Sequence, residues 1–499
     1  MNGFKRPDHA CRTNIDVDSN GDDTLADKPE STSGGGVDRR GLLKYAGAGA
    51  AGVSLAGCKV RQPTTPTPSQ NGGGGGTVTG TPSNDAPLRG KTIRIGSLAP
   101  QPESFPIGQS IWNSMQLAVE DINNSGGVAG AEVVPKSGNT ETSPATGRSE
   151  FLRLVQEEGV HTTFGTFLTQ VTLQCFIPMR DTKTCHITTA AAGPKPARIV
   201  SQRYDEFKYH FRAGPINSFD LAKAEIEFLE LYAEQLGWDN VAVLIEDIGP
   251  FDPFAELLSE NIDDVVNTSI FKRSSSGTTN WTPLWDEVEN ADARVCLIAQ
   301  ALTGASAVKQ WAQQERSFEF GGISVPAQVS EFWESVDGAC EHVFTMNAIT
   351  PQTTNTPRTQ DLINRYQETF DTVPVYSGPI TFDAVMGWQK AMEAVVEEKD
   401  LRRVPTSDEL VEAMENLTYN EGTVLPEFSF TPKDAKYAHD PQWSSMQETG
   451  VPVWQQWQLD EEIRDDYGTM HSFAPEQNKS SDYTYPDWID YPSGHPANQ

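Results

Sequence analysis

From Lys91 onward the apolar positions of this chain alternate between two periods. "KTIRIGSLAP" alternates apolar and polar residues and then turns, which predicts a strand running into a loop. "QSIWNSMQLAVEDIN" instead places Ile111, Met115, Val119 and Ile122 on one helical face, and "NNSGGVAG" stops that helix at Gly126 and Gly127. "AEVVPKSGNTE", "VHTTFGT" and "CHITTAA" read as further strands, separated by the helical patterns "TGRSEFLRLVQEEG" and "LTQVTLQCFIPMRDTK". This βαβαβαβ order predicts a parallel sheet with helices on both faces.

The alternation restarts at Ser218. "SFDLAKAEIEFLELYAEQLGWDN" spaces Leu221, Phe228, Tyr232 and Leu236 as a helix, and "VAVLIED" is the continuous apolar run of a parallel strand buried on both faces. "DPFAELLSENIDDV", "TSIFKRS", "WTPLWDEVENA", "ARVCLIAQ", "GASAVKQWAQQE" and "GGISV" continue the alternation into a second α/β lobe. Later come a long helix, "PITFDAVMGWQKAMEAVVEEK", with Phe382, Val385, Met386, Met392 and Val396 inward, the helix "TSDELVEAMENL" and the strand "VPVWQQWQLD". From Glu461 the periodicity is lost. The remainder, 461–499, reads as an acidic aromatic tail, either unstructured or docked through Tyr483, Tyr485, Trp488 and Tyr491.

Ahead of the lobes the pattern is different. Arg39 and Arg40 precede an apolar run of small residues that ends at Cys58, short of the ~20 apolar residues a membrane span requires. Paired arginines in this position have the form of a twin-arginine export signal. Leu55-Ala56-Gly57-Cys58 looks like a lipobox, so 1–57 reads as a signal whose cleavage leaves Cys58 to carry a lipid; the alternative is an unlipidated signal ending there. The long stretch before Arg39 would be explained by a misassigned start codon. Residues 58–90 are a Thr/Pro tract followed by glycines, with no means of burying a core, and read as a flexible tether. The glycine run lacks the strand before it and the Gly-Lys-Ser/Thr after it that a phosphate cradle needs.

Composition narrows the classes. Acids outnumber bases 69 to 38, for a net charge of −31. Such a surface repels nucleic acid and suits high salt, where self-repulsion is screened, so the chain reads as halophilic, with an ordinary acidic secreted protein as the alternative. Beyond Cys11 and Cys58, the cysteines are Cys175, Cys185, Cys296 and Cys340, at spacings that match no zinc pattern. They read as buried thiols; a Cys175–Cys185 or Cys296–Cys340 bridge is left open. No metal or other cofactor is implied. Glycan acceptor triplets stand at Asn123, Asn267, Asn280, Asn416 and Asn478.

"IRIGSLAP", "LAVEDINNSGGVAG", "FGTFLTQVTL", "HFRAGP", "DNVAVLIED", "ITFDAVMGWQKAMEAV" and "VPVWQQWQ", in this order over about 91–458, resemble the substrate-binding proteins of branched-chain-amino-acid-type ABC importers. The resemblance implies two doubly wound parallel-sheet lobes of the type I periplasmic-binding-protein fold, joined by crossovers near Ala213, Phe344–Asn347 and Leu425. Lobe 1 would take 91–213 and 346–424, and lobe 2 would take 214–345 and 425–460. Ligand would sit between them at the carboxyl ends of strands, where open α/β sheets bind ligands generally.

The same resemblance assigns ligand contacts. Thr169 would meet a ligand carboxylate, backed by helix N–H groups; a simple helix cap would select the same residue type. Ala190 would offer a carbonyl, while Ala192 stands where the family usually has a hydroxyl. Phe251 would be an aromatic lid or a core aromatic. The family's acid for the ligand ammonium is absent: Pro326-Ala327-Gln328 and Ile216-Asn217 occupy its places. Either another acid such as Asp247 substitutes, or the ligand is an amide, urea-like or other small polar solute held by Asn217, Gln300 and Gln328.

The resemblance therefore implies a monomeric lipoprotein outside the cell, not an enzyme, that captures a small polar solute and delivers it to importer permeases and ATPases. A surface sensor feeding a signalling partner is one alternative and an exported enzyme another. For the latter, no Gly-x-Ser-x-Gly, His-Glu-x-x-His or glycine-rich dinucleotide turn is present. Glu246-Asp247 could be an acid/base couple, with a solvated strand end as the alternative.

Overall fold

The computed structural model describes residues 85–214, 217–460 and 467–498. Arg39, Arg40, Cys58, Cys11, the signal and the tether lie outside the described residues, as does Ile216.

The first sheet is five-stranded and parallel, in the order β2-β1-β3-β4-β5. Its strands are β1 (Thr92–Ala99), β2 (Glu132–Asn139), β3 (Thr162–Gly165), β4 (Cys185–Thr188) and β5 (His210–Arg212). The second sheet uses β6 (Asn240–Glu246), β7 (Asn267–Ser274), β8 (Val295–Gln300), β9 (Glu319–Ser324) and β10 (Phe344–Asn347). These run parallel in the order β10-β9-β8-β6-β7, the same doubly wound arrangement. A small ladder pairs β11 (Thr418–Tyr419) with β12 (Phe428–Ser429). The second sheet is completed by two antiparallel strands, β13 (Val453–Leu459) beside β10 and β14 (Gly468–Ala474) beside β13.

Burial explains why the parallel strands read as unbroken apolar runs. Every residue from Val241 to Glu246 and from Val295 to Gln300 is buried, because helices cover both faces. The chain passes between the sheets after β5, after β10 and again ahead of β13. The second passage returns through the Ser377–Glu398 helix, which packs back on the first sheet: Ser377 Oγ donates to the Ile107 carbonyl at 3.1 Å and Trp388 Nε1 to Thr162 Oγ1 at 3.1 Å. Ile111, Met115, Val119 and Ile122 all face this core, as do the expected inward residues of the Ser377–Glu398 helix.

One expectation needs correction, and one alternative left open is decided. The stretch after Glu461 contains a strand, β14, which the pattern did not reveal. Three of its seven positions, Thr469, His471 and Ser472, are polar, and Thr469 Oγ1 bonds His471 Nε2 at 2.8 Å. Tyr483 then docks the following segment by donating to Glu319 Oε2 at 2.6 Å, beside Trp238 Nε1 at 2.8 Å. Neither disulfide forms: Cys175, Cys185, Cys296 and Cys340 are buried free thiols. Burial pushes the thiols of Cys175 and Cys185 up to about 12, out of the reactive range. Among the described residues no helix is long and apolar enough to cross a membrane.

Candidate functional site

The loops that follow β3 and β4 in one sheet, and β6, β8, β9 and β10 in the other, converge on one cavity of about 100 Å³. The first sheet contributes Phe167, Leu168 and Thr169, then Ala190 and Ala192, with Tyr376 from the head of the Ser377–Glu398 helix. The second contributes Ile248, Pro250 and Phe251, then Ala301, Ile323, Val325, Gln328, Met346 and Asn347. Leu221 completes that side from the Ser218–Leu236 helix. The lining is mainly apolar and contains no acidic, basic or histidine side chain.

The Thr169–Thr182 helix begins at the cavity. Its N-cap, Leu168, is extended and offers no side-chain cap, so the first turn's N–H groups form a partly positive end. Thr169 Oγ1 accepts from the Gly193 N–H at 3.0 Å, which ties the Ala190–Gly193 loop to the helix start. Gly193 has to be glycine here, since a Cβ would come within 2.6 Å of Thr169 Oγ1. Tyr376 OH donates to the Ala190 carbonyl at 3.0 Å, fixing the same loop from a third element.

A buried ion pair holds the loop from below. Arg212, at the end of β5 and fully buried, donates from Nη1 to the Ala191 carbonyl and from Nη2 to the Gly193 carbonyl, both at 2.6 Å. Its Nε donates to Asp440 Oδ1 at 2.9 Å. Ser218 N–H takes the Ala192 carbonyl at 2.8 Å. Successive carbonyls of the loop are thus engaged from beneath, leaving its cavity face rigid. Burial raises the Asp440 carboxyl to about 6 despite the Arg212 charge beside it.

Of the residues singled out from sequence, Thr169, Ala190, Ala192, Phe251 and Gln328 meet in this cavity. Asn217 and Gln300 do not. Asn217 caps the Ser218–Leu236 helix by accepting from Phe219 N–H at 2.8 Å and donates to Asp440 Oδ2 at 2.7 Å, so both ends of its amide are spent. Gln300 is fully buried at the end of β8 and outside the lining. Asp247 is exposed and outside the lining. Glu246 is not a solvated strand end: it is fully buried, and its Oε2 accepts from the Ala301 and Leu302 N–H groups at 2.8 and 3.0 Å. Arg212, Asp440 and Tyr376 were not picked out from sequence. Tyr376 lies just before the apolar period of its helix, and the partners of the ion pair are 228 residues apart.

Comparison with known proteins agrees with this geometry. A model of the family described as periplasmic binding protein matches residues 92–447. No curated protein matches the sequence. Among solved structures, an ABC transporter substrate-binding protein from Sphaerobacter thermophilus superposes with a TM-score of 0.61 at 14% identity, over 79% of this chain and 99% of that one. The branched-chain amino acid transporter substrate-binding protein LivJ from Streptococcus pneumoniae, in complex with isoleucine, gives 0.60 at 14% identity, over 77% and 100%. A solute-binding protein of an ABC transporter from Rhodopseudomonas palustris BisB5, in complex with 3,4-dihydroxy benzoic acid, gives 0.59 at 16% identity, over 77% and 96%. At these identities the likeness establishes the fold, a type I periplasmic-binding-protein arrangement.

Proposed function

The chain belongs to the periplasmic binding protein family, and from that premise we propose that it captures a small solute between its two sheets and delivers it to an ABC importer. The observation that carries this reading is the cavity, whose walls come from strand ends of both sheets, so that an occupant contacts both and favours their closed arrangement. Importer permeases and ATPases would then receive the closed form. The apolar lining favours a solute with an apolar body over a urea-like one. The ligands of the two complexes above, isoleucine and a benzoic acid, combine a carboxylate with such a body and support that emphasis. The role is binding, not catalysis.

Arg39-Arg40 and the Leu55–Cys58 stretch support export through the twin-arginine route and lipid attachment at Cys58, with 58–90 as tether, so that the chain acts outside the cell. A labelled lipid precursor should enter the wild type and not Cys58→Ala.

The deciding experiment is a thermal-shift screen of the full-length chain in molar KCl against amino acids, amides, urea, nucleobases and short carboxylic acids. A true ligand at a hundred times its Kd stabilises the fold by about 2.7 kcal/mol. One chemical class should raise the Tm. A library that produces no shift and no change in tryptophan fluorescence would sink the proposal.

A further inference from the structure

We infer that the second sheet carries a buried site for one monovalent alkali cation, walled by Glu246, Gln300, Thr303 and Ser324 and separate from the solute cavity.

Strand pairing sets these side chains side by side. Ile245 lies opposite Ala299, so Glu246 comes next to Gln300, and Gln300 is itself paired with Ser324. Neighbours in register on parallel strands share a face. This face also carries Leu244 and Ile298, which belong to the core of Trp281 and Trp285. Ile245, Ala299 and Ile323 point to the other core, and Ile323 reaches the solute cavity. Thr303 joins the row from the loop after β8, beside the Glu246 carboxylate.

The row is rich in oxygens that nothing satisfies. Glu246, Gln300 and Ser324 are fully buried. Glu246 Oε1, the Gln300 amide, Thr303 Oγ1 and Ser324 Oγ are all without a hydrogen-bond partner among the described residues. Buried polar groups are rarely left so, and here they are neighbours. There is room between them: a Cβ added to Gly304 would stand 3.4 Å from Gln300 Oε1 and 3.5 Å from Ser324 Oγ, at ordinary contact distance.

Charge selects the occupant. The Ala301 and Leu302 N–H groups on Glu246 Oε2 favour the ionised carboxylate. Arg273 reaches only the main-chain carbonyl of Glu246, at 3.1 Å, and pairs with Asp252. No cationic side chain bears on the carboxylate itself among the described residues. A buried negative charge without a counter-charge is strongly penalised. Hard cations take oxygen ligands, and one carboxylate among neutral oxygens balances a single positive charge, whereas calcium sites gather several acids.

The test is the Tm of the full-length chain as KCl replaces choline chloride at constant molar chloride, so that screening stays the same. Choline is too large for the gap. The Tm should rise along a saturating curve, with half-saturation about tenfold higher in Ser324→Ala. Glu246→Gln should abolish the saturating rise yet melt no lower than the wild type in choline chloride alone, because it removes the unbalanced charge. A purely structural Glu246 predicts a loss in both salts. In crystals, thallium(I) in place of potassium should give an anomalous peak among the four side chains. No saturating rise in the wild type, an unchanged half-saturation in Ser324→Ala, tighter saturation by calcium, or no thallium peak at these residues each overturns the inference.

Discussion

Asp440 shows how a residue remote from the cavity governs it. Its carboxylate balances the fully buried Arg212, which grips the Ala191 and Gly193 carbonyls of the ligand loop. Asp440→Ala leaves a guanidinium buried without a counter-charge and should cost about 3–5 kcal/mol in urea unfolding. Solute affinity should fall even where the variant remains folded. This pair was invisible in the sequence because nothing local marks two residues so far apart as partners, and an arginine in a short strand reads as a solvated end. Thr169, Ala190, Ala192, Phe251 and Gln328 were named through the family resemblance rather than from periodicity, and they line one cavity because doubly wound sheets bring strand ends together. Asn217 and Gln300 lie outside the lining: the helix cap and Asp440 consume the amide of one, and the other is fully buried at the end of β8.

Among the elements, length and two-sided burial decided what could be read. The long Ser377–Glu398 helix and the wholly buried β6 and β8 carry many residues of one period. β5 and β10, with three and four residues, were not marked as strands by the pattern, and only the family resemblance pointed to crossovers beside them. β14 failed for another reason: Thr469, His471 and Ser472 interrupt its apolar positions. It nevertheless guards β13, which would otherwise be the sheet edge. Truncation after Asp460 removes β14 and the Tyr483 hydroxyl from Glu319. The truncated chain should melt more than ~5 °C lower and associate more than the full chain by light scattering.

For the whole molecule, charge and buried acids set the working conditions. With a net charge of −31, the Tm should climb steadily from dilute buffer to molar KCl and level off once repulsion is screened. A flat profile would remove the halophilic reading. Burial raises Glu225 and Glu319 to about 8, Asp383 to about 7 and Asp440 to about 6. Each binds its proton more readily folded than unfolded, so these groups make stability greatest at low pH and lower it as pH rises through 6 to 8. Asp408 and Glu409, held down to about 2 by hydrogen bonds from Lys208 and Arg403, oppose this only in acid below the ordinary carboxylate range. The Tm at constant high salt should therefore be higher at pH 5.5 than at pH 8, with Glu225→Gln flattening the difference.

The bond from Trp388 to Thr162 spans 226 residues of chain. At the 5–20 residues per second of protein synthesis, the first sheet waits roughly 10–45 s for the helix that covers it. During that interval the whole parallel part of the second sheet emerges. The ribosome thus releases the first sheet well before the helix that covers it exists.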